Sequence, residues 1–164
     1  MSHSKSSQLI IVSIEQQTMT CFDKGKQWLQ FQVSTGKNGA GELMDSGRTP
    51  RGWHKIATKI GAEYPVNAVL VSRKWTEEIY TDELAQKNPG RDWILTRIMQ
   101  LEGLEPGRNL GGNVDTMARY IYIHGTPDTT PLGKPGSKGC IRMRNHELQS
   151  FYDWVAIGAF VCIE

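Results

Sequence analysis

Residues 118–126 read Ala118-Arg119-Tyr120-Ile121-Tyr122-Ile123-His124-Gly125-Thr126, and 136–145 read Gly136-Ser137-Lys138-Gly139-Cys140-Ile141-Arg142-Met143-Arg144-Asn145. Residues 120–123 are β-branched or aromatic, which predicts a strand that delivers His124 to its end. Residues 125–139 hold three Pro and four Gly, so they form a loop and not a helix. The loop returns the chain to Cys140, sixteen positions after His124. A histidine at a strand end and a cysteine in a glycine turn suggest a thiol nucleophile beside its base.

His124-Gly125-Thr126, the spacing, and residues 137–145 together resemble the L,D-transpeptidase catalytic domain, the YkuD-type fold. The signature of that family is His-Gly, a gap of this length, Ser/Thr-His-Gly-Cys, a hydrophobic residue, then Arg or Asn. Lys138 is the one departure, standing where the family usually has histidine. Ser34-Thr35-Gly36-Lys37 and Thr49-Pro50-Arg51-Gly52 are similar to a second pair of family segments that bracket a loop between strands. The resemblance implies a mixed β-sandwich carrying the site at one rim.

At 164 residues, one domain is the natural expectation, over 8–164, with residues 1–7 as a disordered tail. Nineteen basic and seventeen acidic residues leave a net charge of +2, so no global field selects nucleic acid or a membrane surface. No apolar run approaches the roughly 18–20 residues of a membrane span. The apolar stretch 9–14 contains Ser13 and lacks a following cleavage site, so it reads as a first strand and not as a signal. Three cysteines without a Cys-x-x-Cys pair support neither a disulfide scaffold nor a zinc knuckle. A reducing, cytoplasmic location follows as the expectation, or a periplasmic one if export uses a route the sequence does not display.

The fold class expected is mostly β with short helices (α+β). Strands are predicted over 9–14, 19–22, 27–33, 66–72 and 159–163, with a hairpin turn at 23–26. Helices are predicted over 76–86 and 92–101, an insertion before the catalytic strand, with Asp92 as N-cap and Gly103 past the end. This insertion is where a cleft wall or lid would sit. A last helix is predicted from Asn145, as its cap, through Val155. Cys21 and Cys162 read as small buried hydrophobes, and His54 as an exposed face residue.

An unaided thiol has a pKa of about 8.5, so Cys140 needs His124 as its base. The resemblance implies that the backbone carbonyl of Gly125 orients that imidazole. The N–H groups of Lys138, Gly139 and Cys140 are candidate donors to an oxyanion. Ser137, Lys138 and Arg142 are candidate substrate-binding groups, the two cations through a carboxylate or through the thiol pKa. Ser137 could equally brace the turn. No cofactor is called for. A zinc site from His124, His146 and Cys140 lacks any standard ligand spacing.

The chemistry implied by the resemblance is attack on an L,D peptide bond of a peptidoglycan stem peptide or muropeptide, through a thioester. With water as acceptor the enzyme is an L,D-carboxypeptidase that removes terminal D-alanine. With an amine it is an L,D-transpeptidase. The alternative of another class is a non-catalytic module that binds wall fragments. The absence of an export signal favours the carboxypeptidase.

Overall fold

A computed structural model describes residues 7–164, so most of the expected tail at 1–7 lies outside the described residues. Ser7, its last residue, is described, and its hydroxyl donates to the Asp23 carboxylate.

Alternating burial makes the first strands. In β1 (Gln8–Ser13), Ile10 and Val12 are buried while Leu9 and Ile11 look outward, and in β2 (Thr18–Asp23), Met19 and Cys21 point in. Lys24 and Gly25 both have positive φ, +50° and +78°, the turn geometry whose twist matches a two-residue hairpin into β3 (Lys26–Gln32). β3 is a sheet edge and buries only Phe31.

The remaining strands are β4 (Gly52–Ile60), β5 (Ala68–Val71), β6 (Lys74–Ile79), β7 (Leu95–Gly103), β8 (Tyr122–Thr126), β9 (Ile141–Arg144) and β10 (Phe160–Ile163). They form one curled mixed sheet in the order β3-β2-β1-β10-β4-β7-β5-β6, with β8 paired to β7 and β9 paired to β8. Pairing is antiparallel except for β1 with β10 and β8 with β9. The expected mostly-β fold class with few short helices is what the chain adopts.

Two predicted helices are corrected. Residues 92–101 are not helical: Leu95–Gly103 is β7, which pairs with β4, β5 and β8. A strand covered on both faces reads as a continuous apolar run, and periodicity alone cannot separate it from a buried helix. Within the predicted helix 76–86, residues up to Ile79 belong to β6 and only α1 (Asp82–Lys87) is helical. Its N-cap is Thr81, whose hydroxyl accepts from the Leu84 N–H at 3.0 Å, and none of its residues is buried.

α2 (Asn145–Trp154) lies against β7, β8 and β9. Leu148, Phe151 and Tyr152 fall at i, i+3 and i+4 and are buried, so one stripe of the helix closes the core. They join Ile10, Val12, Met19, Ile56, Leu101, Ile123, Ile141 and Met143 in the main apolar cluster. A smaller cluster of Leu70, Ile98 and Tyr122 lies on another side, with Trp75, Ile94 and Cys140 packed against it. Asn145 is not the cap of α2 but its first helical residue, and the cap position is Arg144. No helix among the described residues is long and apolar enough to cross a membrane.

Candidate active site

β8 carries His124 in its interior, two residues before its last, and not at its end as the sequence suggested. His124 is paired in register with Arg142, and Ile123 with Ile141. Partners in a parallel ladder share a face, and side chains alternate along each strand. Ile123, Ile141 and Met143 therefore enter the main core, while Tyr122, His124, Cys140 and Arg142 share the opposite face. This is how one strand pair sets imidazole, thiol and guanidinium on one face.

The imidazole is buried, and its Nδ1 lies 2.7 Å from the Gly125 carbonyl. A carbonyl can only accept, so Nδ1 carries the proton and Nε2 keeps its lone pair. Gly125 must be glycine, because a Cβ there would collide with Asn145 Oδ1 and the Leu95 carbonyl. Asn145 is itself fixed: Thr96 Oγ1 donates to its Oδ1 at 2.8 Å, and its Nδ2 donates to Asn67 Oδ1 at 2.8 Å. Asn67 and Thr96 both have positive φ, +67° and +74°. This brace ties α2 and β7 to the residue that precedes β5, against Gly125. No motif in the sequence announces it.

Cys140 is held from the other direction. Gly139 has φ +124°, and a Cβ there would crowd the Arg48 carbonyl and Ile121. Its carbonyl accepts from Thr49 Oγ1 at 2.9 Å, and Thr49 Oγ1 in turn accepts from the Gly36 N–H at 2.8 Å. The N–H groups of Gly136 and Ser137 donate to the Thr35 carbonyl, and Ser34 and Arg142 exchange backbone hydrogen bonds. Buried Gln17 bonds both the backbone N–H and the hydroxyl of Thr35. The two segments 34–37 and 48–52 thus form the cradle of the thiol loop. The loop between them is braced by Arg119, which donates to the carbonyls of Gly41 and Arg48.

Ser137 is buried and braces the turn, donating to the Cys140 carbonyl at 2.5 Å and accepting from the Gly139 N–H at 3.1 Å. The Gly139 N–H is therefore occupied. Among the described residues the N–H groups of Lys138 and Cys140 make no intramolecular hydrogen bond, which leaves those two to meet an oxyanion.

The thiol is half-buried. Sγ accepts from the Tyr122 N–H at 3.3 Å and donates to the Tyr120 carbonyl at 3.4 Å. Burial pushes its pKa up to about 11, opposed by the Tyr122 N–H, Arg142 and Arg119, while Asp92 adds to the rise. Burial also pushes His124 down to about 4, against the Gly125 carbonyl and Asp92, which favour its proton. The resting pair is a neutral thiol and a neutral imidazole. From that state the thiol could act as a nucleophile only by giving up its proton.

The flanking cations divide. Arg142 donates to the Gly136 carbonyl and pairs with Asp92 Oδ1, both at 3.0 Å. Arg144 is structural, donating to the carbonyls of Pro127, Asp128 and Thr130. The Lys138 side chain is exposed, makes no hydrogen bond or ion pair among the described residues, and lines a groove with Met44, Arg119 and Tyr120. Arg73, at the β5–β6 turn, donates to the Tyr122 hydroxyl at 3.2 Å and covers the Tyr120 ring. Asp92 and Arg73 went unrecognised beside these residues because each comes from a distant loop, and Arg119 because no motif marks it although it lies close to His124 in sequence.

Two further readings are corrected. His54 is buried, its Nδ1 at 3.0 Å from the Gly52 carbonyl and Nε2 at 2.9 Å from Thr116 Oγ1, and burial holds its pKa down at about 4. Cys162 is half-buried, unlike Cys21, which is buried as expected. Among the described residues no three His, Cys, Asp or Glu side chains converge to hold a metal.

The sequence profile of the L,D-transpeptidase catalytic domain matches residues 7–163. No curated protein matches the chain. Among solved structures, an L,D-transpeptidase from Mycobacterium smegmatis superposes with a TM-score of 0.60 at 21% identity, over 97% of this chain and 59% of that one. L,D-transpeptidase 3 from Mycobacterium tuberculosis gives 0.60 at 17% identity, over 97% and 61%. Bd1075 from Bdellovibrio bacteriovorus gives 0.62 at 17%, over 99% and 49%. The chain thus spans between 49% and 61% of these structures, and the likeness to them is one of fold. Matched along nearly its whole length by that profile, the chain belongs to the L,D-transpeptidase catalytic domain family.

Proposed function

We propose that the protein is a cysteine-dependent L,D-carboxypeptidase that removes terminal D-alanine from the tetrapeptide stems of muropeptides. The supporting observation is Arg142: its guanidinium holds a carboxylate on the same face of the β8–β9 pair as His124 and Cys140. A carboxypeptidase needs a fixed cation there, because its scissile bond lies next to a terminal carboxylate.

In this reading His124 Nε2 takes the thiol proton as Sγ bonds to the carbonyl carbon of the third residue. The N–H groups of Lys138 and Cys140 receive the oxyanion. The C–N bond then breaks, and D-alanine leaves with the proton from His124. Water attacks the thioester, His124 takes its proton, and the thiol is restored. An amine in place of water would give the crosslink of a transpeptidase from the same intermediate. The three unpaired cysteines suit a reducing cytoplasm as the site of action.

Mass spectrometry of disaccharide tetrapeptide incubated with the protein tests this. Loss of one alanine without dimer is the expected result. Abundant crosslinked dimer would replace the carboxypeptidase with a transpeptidase, and unchanged substrate would favour a binding module.

A further inference from the structure

Asp92 leads into β7 through a connection stapled to itself. Arg91 bonds Glu78 at 2.7 and 3.2 Å and lies 4.6 Å from the Trp93 ring centroid, and Trp93 meets Tyr80 edge-on at 5.1 Å. Asp92 takes no part in that staple. Among the described residues its carboxylate has one hydrogen-bond partner, Arg142 Nη2, and its side chain is 34% exposed against 16% for the arginine. An aspartate that only ends a strand or caps a turn normally accepts backbone N–H groups. This one accepts none.

The grip on Arg142 is incomplete. Guanidinium and carboxylate pair most strongly through two parallel hydrogen bonds. Asp92 supplies one oxygen to Nη2, while Nε on the same edge of the guanidinium is buried with no partner. Nη1 is already spent on the Gly136 carbonyl, so the group is positioned before any ligand arrives. A carboxylate that met the Nε–Nη2 edge squarely would gain the bond that Asp92 does not make.

We infer that Asp92 is a resident stand-in for the terminal carboxylate of the substrate, and that binding exchanges one carboxylate for the other on Arg142. The inference deepens the carboxypeptidase reading and rests on it for the identity of the incoming anion. Exchange makes Asp92 a selector. A peptide ending in a carboxylate can displace it, whereas a C-terminal amide, lacking charge, cannot.

Alkylation of Cys140 reads the exchange without turnover, using iodoacetate, which carries a carboxylate, and iodoacetamide, which does not. Asp92→Asn is expected to raise the iodoacetate-to-iodoacetamide rate ratio roughly five- to tenfold. The ratio cancels any change in thiol pKa common to both reagents. In an Arg142→Gln background the same substitution is expected to leave the ratio unchanged. An unchanged ratio in Asp92→Asn, or an equal rise without Arg142, would overturn the exchange, the latter by showing a diffuse field effect. Asp92→Ser repeats the test should the asparagine variant fold poorly. With tetrapeptide, Asp92→Asn should lower KM and leave KM for the C-terminal amide unmoved. Absence of all tetrapeptide turnover alongside the expected alkylation ratios would sink the carboxypeptidase and leave the exchange standing.

Discussion

Thr49 Oγ1 donates to the carbonyl of Gly139 at 2.9 Å, so a residue ninety positions earlier fixes the peptide next to the thiol. Thr49→Val keeps the shape and removes this bond and the one from Gly36. We predict a stability loss of about 1–3 kcal/mol, with kcat falling more than KM, because the oxyanion donors would lose their aim. Urea unfolding and steady-state kinetics measure both. A kcat equal to wild type would show that the loop needs no such anchor.

Gly125→Ala places a methyl group against Asn145 and the Leu95 carbonyl. The backbone there cannot give way without moving the acceptor of His124. We predict a loss of about 2 kcal/mol or more and near-complete inactivation. An active, stable variant would show that the Gly125 carbonyl has no orienting role.

Cys140→Ser and His124→Ala should each remove nearly all turnover, and the double variant should lose little more, since the two act as one unit. Cys21→Ala, in the main core, should stay active while losing roughly 1 kcal/mol. The comparison needs only specific activity and melting curves.

Arg142, and not Lys138, is among the charges acting on the thiol. Arg142→Gln removes a group that lowers the Cys140 pKa, so its alkylation profile should move to higher pH, and KM for tetrapeptide should rise. Lys138→Gln should leave the alkylation profile in place, because that side chain is exposed on the neighbouring groove. Equal displacement in both variants would return lysine to the thiol.

Two histidines govern the acid side. His124 must be neutral to act as a base, so the acid limb of kcat/KM should fall near about 4, below the ordinary value of about 6.5. His54 and His124 both have folded-state pKa values near 4 against about 6.5 unfolded, so the unfolded chain binds more protons between those limits. Their contribution to stability is complete above about 6.5 and is lost as pH falls towards 4. Melting temperatures recorded across that interval should drop. A flat profile would contradict the burial of both rings.

The first hairpin and the loop that separates His124 from Cys140 were legible in the sequence because each is written locally, in a turn, in an alternating strand or in a run of Pro and Gly. β7 was not. Leu95, Ile98, Met99 and Leu101 are apolar because both faces are covered, and such a run carries no period. His54 was misread because its partners, Gly52 and Thr116, satisfy it in a way that alternation cannot show. Asp92 was taken for a helix cap, which it resembles in composition, while its actual partner lies fifty residues away. Asn145 suits the start of a helix in any sequence, and only the packing of Thr96 and Asn67 reveals that its amide is spent on the floor of the site.

The position of β10 between β1 and β4 has a consequence for how the chain is made. Among the described residues, the strands of residues 8–32 join the rest of the sheet through Phe160–Ile163, and the segment that follows them adds isolated bridges from Ser34 to Arg142 and from Gly36 to Ser137. All three ties lie late in the sequence. β1, β2 and β3 must therefore wait for segments made more than a hundred residues later, and pairings of such long range close slowly. During that wait the cradle of Ser34, Thr35 and Thr49 has nothing to hold. The nascent chain carries Cys140 as an ordinary thiol, and the setting that shifts it forms only when the sheet closes.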